Sequence, residues 1–104
     1  MTPKREKKQS LPSFVLGVIE REPGFWSNHS ADNADRLDLD WTDVLSIVSS
    51  PEFIKKERDS FAMDGYKYAM IGPDTRGRRL YTAGKVVEYA SENFWRVITI
   101  HEAD

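Results

Sequence analysis

The segment YKYAMIGPDTRGRRLYTAGKVVEYASENFWRVITI, residues 66–100, carries the clearest structural signal in the chain. Residues 66–71 and 78–87 have the β-branched and aromatic composition of strands. Between them, residues 72–77 place proline and aspartate early and glycine late, which is typical of a turn. Residues 94–100 are apolar at nearly every position, which predicts a central strand with little exposure on either face.

Two short helices are predicted upstream of these strands. Residues 27–36 begin with a capping side chain at Ser27 or Asn28. Asp40 and Asp43 have the spacing of a capping box. The apolar residues Val44, Leu45, Ile47 and Val48 then follow at helical spacing until Ser50 and Pro51 end the second helix. Residues 53–54 predict an edge strand.

The segment 12–22 fits two structures. Phe14, Val15, Val18 and Ile19 form a helical stripe, whereas the β-branched residues and Gly17 favour a strand. The strand interpretation is narrowly preferred.

These segments together predict an α+β domain: an antiparallel β-sheet meander with two short helices packed on one face. The strand 94–100 is expected inside the sheet, with the helix 44–48 packed on it. Buried side chains are expected at six apolar positions: Val44, Ile47, Val48, Ile71, Val97 and Ile98.

Composition limits the possible functions. A chain of 104 residues fits one domain, here 12–104, after a disordered basic tail over residues 1–11. The absence of cysteine excludes disulfide scaffolds, thiolate zinc sites and cysteine nucleophiles, and two histidines are too few for a His-rich metal site, so neither metal nor cofactor is expected. No apolar run is long enough to span a membrane, and the basic start has no signal-peptide pattern, so we expect a cytoplasmic protein without a membrane partner.

Charge is unevenly distributed along the chain. The net charge is −2, which excludes a polycation that coats nucleic acid. Residues 9–65 carry five basic and eleven acidic side chains, whereas residues 66–104 carry six basic and five acidic ones. This distribution predicts a basic surface on the C-terminal half that meets phosphate, and the alternative is solvated helix faces with a disordered basic tail.

Several short patterns over residues 25–104 follow one another at characteristic spacing. The first group is Phe25, Asn33, Arg36, Leu39, Trp41, Thr42-Asp43-Val44 and Ser50-Pro51. The second group is Tyr68-Ala69-Met70-Ile71-Gly72, Gly77-Arg78 and the closing Arg96-Val97-Ile98-Thr99-Ile100-His101-Glu102-Ala103. In order and spacing the chain resembles the BrnT family of bacterial type II toxins, which are small ribonucleases with a RelE-like fold paired with a BrnA antitoxin. It departs from that pattern at Leu37-Asp38, where the family has His-Gly.

The resemblance implies metal-independent RNA cleavage. Such cleavage requires a base for the ribose 2′-OH, cations for the phosphate and an acid for the leaving 5′-oxygen. Arg78 and Arg96 match basic positions of the family, and histidine is the usual proton-transfer side chain, which makes His101 the third catalytic candidate. Arg76, Arg79 and Lys85 are the RNA-binding candidates, and Tyr68 and Tyr81 are candidates for base stacking.

Strand geometry argues against one site containing all of these residues. Arg96 and His101 are five residues apart, so a regular strand points them to opposite faces unless it bends between them. The alternatives are a salt bridge from Arg96 to a helix acid such as Asp43, a frayed terminal His101 and a solvated hairpin 76–79.

Two functions therefore stay open. The first is a BrnT-like ribonuclease toxin neutralised by a BrnA-like antitoxin. The second is a non-catalytic protein-interaction or RNA-binding module of the same fold, which the missing His-Gly favours. The interaction alternative predicts an exposed patch or unpaired edge near Phe53 and Ile54 or at the C-terminus.

Overall fold

The structure is a computed structural model that describes residues 10–21 and 24–103. Within these residues the chain forms three helices and five strands. In chain order they are α1 (Ser13–Arg21), β1 (Phe25–Trp26), α2 (Asn28–Leu37), α3 (Trp41–Ser49), β2 (Phe53–Arg58), β3 (Tyr66–Pro73), β4 (Arg79–Tyr89) and β5 (Glu92–Glu102).

The strands form one mixed sheet in the order β1-β5-β4-β3-β2. The predicted antiparallel meander over β2 to β5 is confirmed, with β2 at an edge and β5 inside the sheet. The short strand β1 was not predicted, and it pairs parallel with β5, Phe25 opposite Arg96. The α+β class is therefore confirmed, but the sheet is mixed rather than wholly antiparallel.

The strand preferred for residues 12–22 is wrong, because residues 13–21 form helix α1. Val15, Val18 and Ile19 share one helical face and are buried, and α1 packs on β5 and α3. Burial of this stripe outweighs the strand propensity of its β-branched residues. The predicted tail falls largely on residues outside the described part of the chain, although Leu11 is buried in the core.

Both predicted helices are confirmed, together with their caps. The Ser27 hydroxyl accepts a hydrogen bond from the Ser30 N–H and begins α2. At the start of α3, Asp40 and Asp43 form the reciprocal capping box, each carboxylate accepting from the other residue's N–H. The following hairpin is tighter than expected, because β3 extends through Pro73 and only residues 74–78 form the turn.

The helices pack on one face of the sheet and form a single core with it. Of the six side chains predicted to be buried, Val44, Ile47, Val48 and Val97 are buried. Ile71 and Ile98 are partly exposed, so their predicted burial is wrong. Ile71 alternates with the buried Met70 and Gly72 and so points away from the helices, and Ile98 occupies a bulge described below.

Candidate nucleic-acid interface

The face of the sheet opposite the helices is called the open face here. Cross-strand partners share a face, so the register places Ala69, Ala83 and Thr99 together on it. Two adjoining pockets lie on this face, and both are lined solely by residues of β2 to β5 and of the loop 59–65. Neither pocket has a lining residue from a described helix.

Three cations stand side by side across the open face. Lys67 on β3 pairs with Lys85 on β4, and Lys85 pairs with Arg96 on β5. We call these three residues the cation row. Like charges directly opposite each other destabilise a sheet, so an anion bound over the row would relieve repulsion.

The cation row is only partly neutralised by carboxylates. Lys67 Nζ lies 3.5 Å from Glu57 Oε2, and Lys85 Nζ lies 3.0 Å from Asp59 Oδ2. Arg96 is exposed and makes no hydrogen bond or ion pair with the residues that the structure describes. The expected alternative, an ion pair with Asp43, is wrong, since the Asp43 carboxylate accepts hydrogen bonds from Thr75 and from the Asp40 N–H. Arg96 therefore has its full hydrogen-bonding capacity available for a ligand.

A β-bulge in β5 brings His101 to the same face as Arg96. Gly84 pairs with Val97 and Ala83 pairs with Thr99, so Ile98 is an extra residue without a partner on β4. The extra residue shifts the alternation by one position, so Arg96, Thr99 and His101 all lie on the open face. The expectation that Arg96 and His101 point to opposite faces holds for a regular strand and is wrong for this one.

The start of α2 secures the bulge. The Ser27 hydroxyl donates to the carbonyl of Ile98 at 2.7 Å, and the Ser30 hydroxyl donates to the carbonyl of Val97 at 3.0 Å. These bonds satisfy carbonyl groups at the position where the strand ladder is interrupted. On the β4 side, a Cβ at Gly84 would lie 2.5 Å from the Trp95 ring, so the close approach there requires glycine.

His101 lies against Tyr81 at one end of the open face. The two rings are stacked, with centroids 4.9 Å apart and planes 21° from parallel. His101 Nδ1 is 2.8 Å from the carbonyl oxygen of Glu102. Because a carbonyl oxygen only accepts, the neutral ring carries its proton on Nδ1 and keeps the Nε2 lone pair for a ligand.

A groove connects Tyr81 to the cation row. Its first part has a volume of about 200 Å³ and a floor of small side chains, Ala69, Ala83 and Thr99. Its second part, about 530 Å³, lies beside Lys85 and Arg96. The open face therefore combines an apolar floor, the aromatic ring of Tyr81 and the cations Lys85 and Arg96.

The loop 59–65 forms one wall of the second pocket. The Asp59 carboxylate accepts from the Phe61 N–H and from Lys85, and these bonds lower the pKa of Asp59 below its ordinary value. Phe61 is 84% exposed, and its ring centroid lies 5.8 Å from Lys85 Nζ. An exposed aromatic ring is thereby held next to a cation.

The other predicted arginines lie apart from this groove. Arg78 donates to Asp74 Oδ2 at 2.7 Å and to the carbonyl of Leu37 at the end of α2. Arg76 is paired with Asp38, and Arg79, two residues beyond Tyr81 at the His101 end of the open face, is paired with Glu52. These ion pairs connect the β3–β4 turn and the start of β4 to neighbouring elements.

Sequence reasoning missed Lys67 and Phe61. Lys67 lies on the same face of β3 as Ala69 and Ile71 and alternates with the buried Tyr68 and Met70, so its outward direction was readable from the period of two. Its position opposite Lys85 depends on the hairpin register. The stacking candidate Tyr68 is buried on the helix side, where burial and a hydrogen bond to Asp64 raise its pKa above the ordinary value.

No group of three His, Asp or Glu side chains able to hold a metal ion occurs within residues 10–21 and 24–103. Over the same residues, no helix combines the length and the apolar character needed to cross a membrane. Comparison of the chain with protein-family models, curated proteins and solved structures finds no match. The function is therefore inferred from the geometry of the open face.

Proposed function

We propose that this protein binds single-stranded RNA across the open face of its sheet. The observation that carries the proposal is the cation row, Lys67, Lys85 and Arg96, on a face left free by the described helices. Cations that contact phosphates beside aromatic rings that stack on bases are the usual components of single-strand binding surfaces. Tyr81, His101 and Phe61 supply the rings here.

The geometry favours a single strand over a duplex. Bases reach Tyr81, His101 and Phe61 only if they are unpaired, since a duplex buries its base faces by stacking. The net charge of −2 makes the whole molecule a poor non-specific ligand for nucleic acid, so attraction is local to the cation row.

A ribonuclease toxin similar to BrnT is the second candidate, favoured by the bulge that brings His101 and Arg96 to one face. His101 Nε2 has the lone pair needed to take the 2′-OH proton, and Arg96 offers a fork for the phosphate. Their partners on β4, Tyr81 and Lys85, are four residues or about 13 Å apart, so the scissile phosphate would lie between them. This candidate implies a BrnA-like antitoxin as partner and the cytoplasm as location.

The binding proposal is tested with a fluorescein-labelled uridine oligonucleotide at increasing salt. Because a single strand loses about 0.7 of log–log salt slope per phosphate contact, we expect Arg96→Ala to weaken binding and flatten the slope by about that amount. Arg21→Ala, which removes an exposed arginine on α1, is the matched control and should bind like the native chain. Equal binding by both variants, or no binding by the native chain at low salt, would refute the proposal.

Cleavage is tested separately with the same RNA in the presence of EDTA. A ribonuclease cuts the RNA and arrests growth when expressed in bacteria. The His101→Gln variant should then lose part of the pH dependence of cleavage. RNA that is bound but never cut would exclude the ribonuclease and leave the binding proposal intact.

A further inference from the structure

An exposed group of aromatic residues lies at the end of the open face farthest from His101. Phe25 on β1, Tyr89 on β4 and Phe94 on β5 form this group, which we call the aromatic corner. The Phe25 ring centroid is 5.6 Å from that of Tyr89 and 5.0 Å from that of Phe94. Tyr89 is 64% exposed and Phe25 is 39% exposed, so the corner presents ring surface to solvent.

The register places the aromatic corner on the open face. Phe25 pairs with Arg96, and Phe94 pairs with Val87, two residues before Tyr89. Cross-strand partners and alternate residues along a strand share a face. The corner is therefore on the same side of the sheet as the cation row.

Arg96 connects the corner with the groove. It lines the pocket next to Lys67 and Lys85, and it also lines a pocket of about 470 Å³ with Phe25 and Tyr89. A ligand whose phosphate is held by Arg96 thus has aromatic rings within reach on the corner side.

The corner is held by a tight hairpin. Ala90 and Ser91 both have positive φ, 51° and 66°, and they join β4 to β5 as a two-residue loop. Such a loop follows the twist of its strands and leaves the flanking Tyr89 in the paired part of the hairpin. The backbone that carries the Tyr89 ring is thereby fixed before a ligand binds.

We propose that the aromatic corner is a second stacking platform, which binds unpaired bases of the same RNA beyond the cation row. The inference rests on the proposed function and extends it to the path of the strand. The RNA runs along β4 from Tyr81 to Tyr89, eight residues or about 26 Å. Arg96 lines both pockets, so the aromatic corner continues the proposed RNA-binding surface. This continuity favours RNA over a protein that docks on the corner alone.

The test compares Tyr89→Ala and Tyr89→Phe with the native chain, using uridine oligonucleotides that carry 2-aminopurine at successive positions. Stacking on an aromatic ring contributes about 5- to 150-fold in affinity per base, so Tyr89→Ala should bind RNA more weakly by that factor. We also expect it to lose the quenching of 2-aminopurine near one end of the RNA, whereas Tyr89→Phe keeps both properties because it keeps the ring.

Phe14→Ala is the matched control, since Phe14 is a comparably exposed aromatic residue on α1. Native affinity in Tyr89→Ala, in a chain whose Arg96→Ala variant binds weakly, would overturn the platform and leave the proposed function standing. A native chain that binds no RNA would overturn both.

Discussion

Asp59 occupies the position beside Lys85 that a phosphate would take in the proposed complex with RNA. Its carboxylate is 3.0 Å from Lys85 Nζ, and 17% of the Lys85 side chain and 15% of the Asp59 side chain are exposed. Binding of a phosphate to Lys85 therefore competes with an ion pair that is already formed. The same residue orders the loop that carries Phe61, because it accepts from the Phe61 N–H.

Asp59→Asn is expected to strengthen RNA binding. The asparagine keeps a carbonyl oxygen for the Phe61 N–H but removes the charge that holds Lys85. Partly exposed ion pairs contribute up to about 1 kcal/mol, so affinity should rise about two- to fivefold. Asp32→Asn makes the same change of net charge on the exposed side of α2, and fluorescence titration should show no comparable gain. Equal gains in the two variants would mean that net charge alone is responsible.

The bulge and the start of α2 act as one unit at the scale of secondary-structure elements. Ser27 caps the helix and, through the same hydroxyl, donates to the carbonyl of the bulged Ile98. The direction of His101 thus depends on a helix that lies on the other side of the sheet.

Ser27→Ala is expected to reduce both stability and RNA binding, whereas loss of another helix cap reduces stability alone. Removing an N-cap costs about 1 kcal/mol, which urea unfolding measures. Asp40→Ala removes the cap of α3 at a similar cost but leaves the bulge in place. If the RNA affinities of the two variants fall equally, the bulge has no part in binding.

At the scale of the whole molecule, two buried carboxylates hold the β3–β4 turn against the helices. Burial raises the pKa of Asp74, but hydrogen bonds from Arg78 outweigh it and leave the pKa below its ordinary value. Burial likewise raises the pKa of Asp43, and hydrogen bonds from Thr75 and the Asp40 N–H outweigh it. Both groups therefore bind protons less readily in the folded state.

Acid is expected to weaken the fold through these two groups. A lowered carboxyl pKa gives stability that is complete above the unfolded value of about 3.9 and is lost as pH falls through the folded value. Asp74→Asn should cost about 1–3 kcal/mol at pH 7, because Arg78 and two N–H groups lose their charged acceptor. Urea unfolding at pH 7 and pH 3 should show a smaller loss on acidification in Asp74→Asn than in the native chain. A loss of equal size would show that Asp74 does not contribute to acid sensitivity.

The capping box of Asp40 and Asp43 is a feature that the local sequence specifies by itself. Their capping box joins residues three apart, so the bonds form from neighbours along the chain. The hairpins of the meander also join strands that are close in sequence. For this reason the two capped helices and the order of β2 to β5 were predictable.

The remaining features depend on contacts between distant residues. Helix α1 forms against its own strand propensity because its apolar stripe is buried on β5, and β1 exists only where it pairs with that strand. The bulge at Ile98 shifts every later side chain of β5 by one face, since side chains alternate along a strand. Arg96 and His101 therefore share the open face through tertiary structure, although their spacing in the sequence separates them.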